Sequence, residues 1–249
     1  MPHTDSDAIL RETSHRPWPL PSRPWLMFQS WQRQLFAHWP VPASMLRALV
    51  PPPLALDDFE GTTYLGVTPF DLVGLHFRHL PPFPIGSHFL EVNVRTYVRV
   101  GGKPGVFFFS LDAASLLAVV GARVSFHLPY YHADMRLEER DGEIAYRTRR
   151  SRSDAELVAR YRPTGAPLVA TPGTLDHFLT ERYALYVVRG GRVLRGDIHH
   201  APWRLQPAAA TIERNTLAGA SGVTLPDVAP LLHYSARQDT VLWPLLDAS

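Results

Sequence analysis

The chain has 249 residues, of which 45% are hydrophobic; that is enough apolar material for a substantial core and excludes long-range disorder. Charged residues make up 19% and the net charge is only +2; with no cysteine, disulfide scaffolds, thiol nucleophiles and Cys-based zinc sites are all excluded. Of the 25 basic residues only Lys103 is a lysine, so any lysine-based covalent chemistry must run through that one position.

The 24 prolines and 11% aromatic residues favour strands and loops over a helix bundle. Residues 1–24 carry Asp5, Asp7, Glu12 and several prolines, with no apolar run behind a basic start. They read as a flexible N-terminal arm, not a secretory signal, ahead of one domain over 25–249. Trp25 to Ala37 fits helix and strand templates equally. Pro42 to Val50 reads as a short helix, opened by Pro42 and stopped by Pro51-Pro52-Pro53. Gly61 to Phe77 suggests two short strands, and Leu80 to Gly86 a proline loop.

The segment Phe89 to Leu111 is the most informative. Val92, Val94, Thr96, Val98 and Val100 alternate with Glu91, Asn93, Arg95, Tyr97 and Arg99, a period of two that separates an apolar face from a polar one. Gly101-Gly102-Lys103-Pro104 reads as a turn, and Val106 to Leu111 as the returning strand of an antiparallel hairpin. A turn centred between Gly102 and Lys103 sets Arg95 opposite Ser110 and Asn93 opposite Asp112. Phe107, Phe109 and Leu111 then join the valines, and the polar face gathers Glu91, Asn93, Arg95, Ser110 and Asp112.

Gly105 to Ala122 is nearly long enough to span a bilayer, but Asp112 lies at its centre, so it reads as a buried strand and then a buried helix. That helix, Ala113 to Gly121, is apolar all round, with Asp112 placed to cap it. Asp141-Gly142 marks a hairpin between Tyr131–Glu138 and Glu143–Thr148. Then follow a strand over Glu156 to Tyr161, a helix opening at Thr174, a hairpin at Gly190-Gly191 and a strand-like run from His233. The expected fold class is mainly β (α+β): one antiparallel sheet with a few short helices.

No glycine-rich nucleotide loop and no nucleophile elbow occurs, and the pairs His76/His79, His127/His132 and His199/His200 lack a ligand rhythm. Neither a cofactor nor a metal is expected. Arg147, Arg149, Arg150 and Arg152 read as a solvated strand end, not a nucleic-acid surface. A soluble, cytoplasmic protein is expected, with homo-oligomer formation open.

Glu91-Val92-Asn93-Val94-Arg95-Thr96-Tyr97-Val98, followed by Lys103-Pro104-Gly105-Val106 and Phe108-Phe109-Ser110-Leu111-Asp112-Ala113, resembles the uncharacterised bacterial YqjF-like family. So do Phe36-Ala37-His38-Trp39-Pro40, Leu128-Pro129-Tyr130, His233-Tyr234-Ser235 and Trp243-Pro244, so that the resemblance covers about residues 25 to 246. That family is similar in turn to the acetoacetate decarboxylase-like superfamily. The resemblance implies a curved antiparallel sheet closing into a cone or barrel around a buried pocket. The superfamily's strand glutamate falls on Glu91, its aspartate on Asp112 and its arginine on Arg123. Its paired lysines fall on Tyr130 and Tyr131, and a phenol cannot form the Schiff base that the decarboxylases make there.

These readings single out a set of candidate residues. Glu91 would act as general acid or base and Tyr130 as donor to an oxyanion; Arg95 and Arg123 would hold a carboxylate, with Asn93, Ser110, Asp112 and Tyr131 completing the site. Each has a plainer alternative: an Arg95 ion pair with Glu91 or Asp112, Asp112 as a cap, Glu91 as a structural carboxylate, tyrosines and His38 as packing. Three functions stay open: non-covalent catalysis on a small organic acid or carbonyl compound, ligand binding or sensing without turnover, or a structural oligomer with a vestigial pocket.

Overall fold

A computed structural model describes residues 6–82 and 86–248. Residues 1–5 of the expected arm, 83–85 of the proline loop and Ser249 lie outside the described residues. Along the chain come α1 (Ser6–Arg11), β1 (Met27–Val41), α2 (Ala43–Leu49), β2 (Ala55–Leu56), β3 (Thr63–Phe77), β4 (Phe89–Val100), β5 (Lys103–Ala113) and α3 (Leu116–Ser125). After them come β6 (Tyr130–Arg140), β7 (Glu143–Arg150), β8 (Glu156–Pro163), β9 (Leu168–Val169), α4 (Leu175–Thr180), β10 (Ala184–Arg189), β11 (Arg192–His200), β12 (Arg204–Asn215), α5 (Leu217–Ala220), β13 (Leu231–Leu242) and β14 (Leu246–Asp247).

The protein is mainly β, and its sheet closes on itself. Following the pairings, β1, β3, β4, β5, β10, β11 and β13 form a ring that returns to β1. A second path leaves β5 through β6, β7, β8 and β12 and rejoins at β13. Strands β13, β1, β3, β4 and β5 therefore form a wall common to both loops. Because side chains alternate along a strand, one set of wall residues faces each loop.

Toward the β6–β8 side, Leu35, Leu65, Val67, Val92 and Val94 pack against Ile144, Tyr146, Leu157 and Tyr161. Toward the β10–β11 side, Met27, Phe70, Leu72, Phe89, Tyr97 and Leu111 meet Leu185, Ile198 and Leu242. Charge on the first side is paired: Arg150 clamps Asp112 with contacts of 2.8 and 3.0 Å, both side chains buried. Arg147, Arg149 and Arg152 point outward.

The β4–β5 hairpin differs from the expected register in two ways. Its turn is the two-residue Gly101-Gly102, with Val100 opposite Lys103 and φ of 54° and 76° at the glycines. Such a turn needs positive φ at both positions, which glycine adopts at little cost. A β-bulge then intervenes: Arg95 faces Phe108 but Val94 faces Ser110, leaving Phe109 as the extra residue. One extra residue reverses the parity of everything beyond it. Asn93 thus faces Leu111, and Ser110 and Asp112 turn to the Val92/Val94 face. The expected gathering of Ser110 and Asp112 with Glu91 and Arg95 does not occur.

Other expectations need smaller corrections. Residues 63–77 form one 15-residue strand, not two. The helix after β5 starts at Leu116 and is capped by Ser115, whose hydroxyl accepts from the Ala118 amide, while Asp112 is engaged by Arg150. That helix lies on the surface, so only one stripe is covered, and Leu117 and Val124 are 67% and 70% exposed. Strand β12 has only a weak strand signal in the sequence, because Ala208-Ala209-Ala210 at its centre shows no alternation. Over residues 6–24 the expected arm lies along β11 and β13. Arg16 donates to the Ile198 carbonyl at 2.7 Å and contacts His199 Nδ1 at 3.0 Å. Ile9, Leu10 and Leu20 pack with Trp25, Phe28, Val241 and Trp243.

Candidate functional site

On the β10–β11 side of the wall the side chains surround a cavity of about 610 Å³. Alternate residues of β4 project into it: Glu91, Asn93 and Arg95 all line it. Strand β5 supplies Val106, Phe108 and, beyond the bulge, Leu111. Helix α3 covers one end with the small residues Ala118, Gly121 and Ala122.

Glu91 is 3% exposed. Its Oε2 accepts a hydrogen bond of 2.8 Å from the Tyr130 hydroxyl. Burial pushes the Glu91 carboxyl up to about 8; the Tyr130 hydrogen bond opposes this and the charge of Asp112 adds to it. Burial, with Glu91 beside it, also holds the Tyr130 phenol well above its ordinary value. At neutral pH the pair therefore retains both protons, a poised acid in an apolar surround. Asn93 Oδ1 accepts from Thr68 Oγ1 at 2.5 Å.

Arg95 is 9% exposed and lines the cavity. Among the described residues its guanidinium has neither hydrogen bond nor ion pair, and its Nε is sealed from water without a partner. Its nearest aromatic contact is Phe36, 5.4 Å from the ring centroid. The ion pair with Glu91 or Asp112, weighed above as the plain alternative, is absent. Room for Arg95 is made at Gly66, where a Cβ would lie 3.0 Å from His38 and 3.4 Å from Arg95.

Sequence reasoning missed Arg182, which follows α4. Its Nη1 donates to Asp57 at 2.6 Å and its Nε to the Phe178 carbonyl at 2.6 Å, while Nη2 is buried without a partner. Gln34, Thr180, His200 and Trp203 also line this end. Behind it sits fully buried His38. Tyr97 donates its hydroxyl hydrogen to the Leu179 carbonyl at 2.8 Å, so His38 Nε2, 2.6 Å away, donates to Tyr97. Burial, with Arg95, His233 and Arg182 nearby, keeps His38 neutral, well below its ordinary value. No local pattern could find Arg182, Gln34, Thr180, His200 and Trp203, because they arrive from β1, from α4 and the segment after it, and from the end of β11 and the loop beyond.

Of the eight sequence candidates, four line the cavity: Glu91, Asn93, Arg95 and Tyr130. The other four do not. Ser110 and Asp112 face away because of the bulge. Tyr131, next to Tyr130 on β6, takes the opposite face and lies 4.0 Å from the Arg150 guanidinium. Arg123 is exposed, donating to the Tyr130 carbonyl at 2.6 Å and stacking on Tyr131. Lys103 stands at the start of β5, its Nζ 5.8 Å from the Trp18 ring centroid, outside the cavity. Among the described residues no helix is long and apolar enough to cross a membrane.

Comparison with known proteins follows the same lines. Residues 28–239 match DUF2071, a family described as an uncharacterized conserved protein. The uncharacterized protein YqjF of Bacillus subtilis (strain 168) is 49% identical over 227 residues, 91% of this chain and 94% of its own. An acetoacetate decarboxylase from Legionella pneumophila superposes with a TM-score of 0.64 at 15% identity, covering 97% of this chain and 95% of its own. The enduracididine biosynthesis enzyme MppR, complexed with pyruvate, superposes at 0.61 with 10% identity, covering 94% and 93%. These two likenesses establish a shared fold and no more. The chain belongs to the DUF2071 family, and its fold is that of the acetoacetate decarboxylase-like proteins.

Proposed function

We propose that this protein binds a small organic acid or carbonyl compound non-covalently in the cavity. Arg95 is the anion anchor, Arg182 its second, and the protonated Glu91–Tyr130 pair is the proton donor. One observation carries the reading: the buried Arg95 guanidinium, with no anionic partner among the described residues, faces a hollow. An unpaired buried charge is costly to maintain, and a ligand carboxylate would offset that cost. The like-folded MppR, solved with the carboxylate pyruvate, supports the same ligand chemistry.

A Schiff-base route is disfavoured, since Tyr130 stands where the resemblance puts the lysine and Lys103 lies outside the cavity. Catalysis here would rest on placing a carbonyl against the neutral carboxyl of Glu91 and the Tyr130 hydroxyl. The test is a thermal-shift screen against carboxylic acids and carbonyl compounds, with Arg95→Met as control. Shifts in the wild type that vanish in the variant are expected. Equal shifts in both, or none with any acid, would overturn the reading. For compounds that bind, product assays on Glu91→Gln separate turnover from binding alone.

A further inference from the structure

The cavity has two chemically different ends. One is deep: Arg95, Arg182, Thr180, His200 and Trp203 are all buried. The other is open: Phe77, Leu117, Gly121 and Ser125 are exposed, and Gly86 is half-buried. Between them the wall is apolar, with Met27, Leu72, Phe89, Val106, Leu111 and Leu185. Charge lies at the bottom and hydrocarbon along the way in.

We infer that the ligand is an amphipathic acid. Its anionic head sits on Arg95 and Arg182, and its unbranched apolar tail runs past Asn93 and the Glu91–Tyr130 pair to the mouth beneath α3. This rests on the proposed function and narrows its ligand class. Glu91 and Arg95 are four residues apart on one strand face, a span of ~13 Å. Three main-chain bonds cover about 3.3–3.6 Å, so a chain bridging that span needs on the order of ten bonds. A three- or four-carbon acid anchored at Arg95 leaves most of the apolar wall uncovered. A volume of about 610 Å³ lies in the roughly 300–1,000 Å³ range of sites for larger ligands.

Helix α3 fits this role. Ala118 and Ala122, four residues apart, turn their small side chains to the cavity, and a Cβ at Gly121 would meet nothing within 4 Å. Small residues at the mouth keep a channel open for a tail.

The experiment titrates the purified full chain with straight-chain carboxylates from acetate to dodecanoate, below their micelle thresholds, by calorimetry. Affinity should tighten about three- to fourfold per methylene up to about ten carbons and then level off. Ala122→Phe, checked for folding by its thermal transition, should move that plateau to shorter chains and weaken decanoate far more than butyrate. Ala118→Phe gives a second constriction should the first fail to fold. Alcohols of matched length should bind at least tenfold more weakly. Acids of three or four carbons binding as tightly as decanoate would overturn the inference and leave the proposed function standing. No binding by any carboxylate would overturn both, and alcohols binding equally well would remove the anionic head.

Discussion

The shared wall of β13, β1, β3, β4 and β5 has two faces, and they are built to different ends. On one, Leu65, Val92 and Val94 pack against Tyr146, Leu157 and Tyr161, and a deep charge pair, Asp112 with Arg150, is closed. On the other, wall residues stand around a hollow, and among the described residues Arg95 has no ion pair. The same strands supply both, one residue apart. Both faces bury apolar residues, but the filled face closes its deep charge with a partner, whereas the hollow face leaves a buried guanidinium without one among the described residues.

That contrast can be broken most forcefully on the filled face. Asp112→Ala strands a buried guanidinium and should lower stability by about 3–5 kcal/mol in denaturant unfolding. Leu65→Ala should cost ~2–5 kcal/mol, whereas Phe108→Ala, whose ring already borders empty space, should cost at most half of the Leu65→Ala loss, because fewer contacts are removed. Equal losses for these two variants would show that the hollow is not real.

A third expectation concerns pH. Glu91 keeps its proton to about pH 8 in the folded chain against about 4.5 when unperturbed. The folded state therefore holds the extra proton between those values. The associated stability is complete below about pH 4.5 and is lost as pH rises through about 8. The difference between wild type and Glu91→Gln should reach on the order of a few kcal/mol at pH 9 and shrink toward pH 5. A pH-independent difference would contradict the buried protonated carboxyl.

Smaller effects sharpen the comparison. Arg95→Met should raise ligand-free stability by about 1–2 kcal/mol, opposite in sign to Asp112→Ala, because it removes an unpaired buried charge. Tyr130→Phe should change stability by no more than ~1 kcal/mol while moving the Glu91 titration higher, since the lost hydrogen bond favours the ionised form. Both are read from urea unfolding across pH.

Much of this was legible in the chain. The alternation from Glu91 to Val100 marked a strand with a polar face, and Gly101-Gly102, Asp141-Gly142 and Gly190-Gly191 marked three hairpins that the structure contains. The composition of β4 alone identified Glu91, Asn93 and Arg95. The bulge was hidden because Phe107-Phe108-Phe109 is uniformly aromatic and shows no alternation from which the extra residue could be read. That single residue decided the sides taken by Ser110 and Asp112. Arg182, Gln34 and His200 were illegible for another reason: they reach the cavity only through ring closure, which is long-range and leaves no local periodicity.

The central claim is that Arg95 anchors an anion at the bottom of an apolar hollow. Calorimetric titration of octanoate into the wild-type protein and Arg95→Met, side by side at pH 7, tests it most directly. Saturable one-to-one binding in the wild type, weakened at least tenfold in the variant, is the result predicted. Indistinguishable isotherms for the two proteins would contradict it.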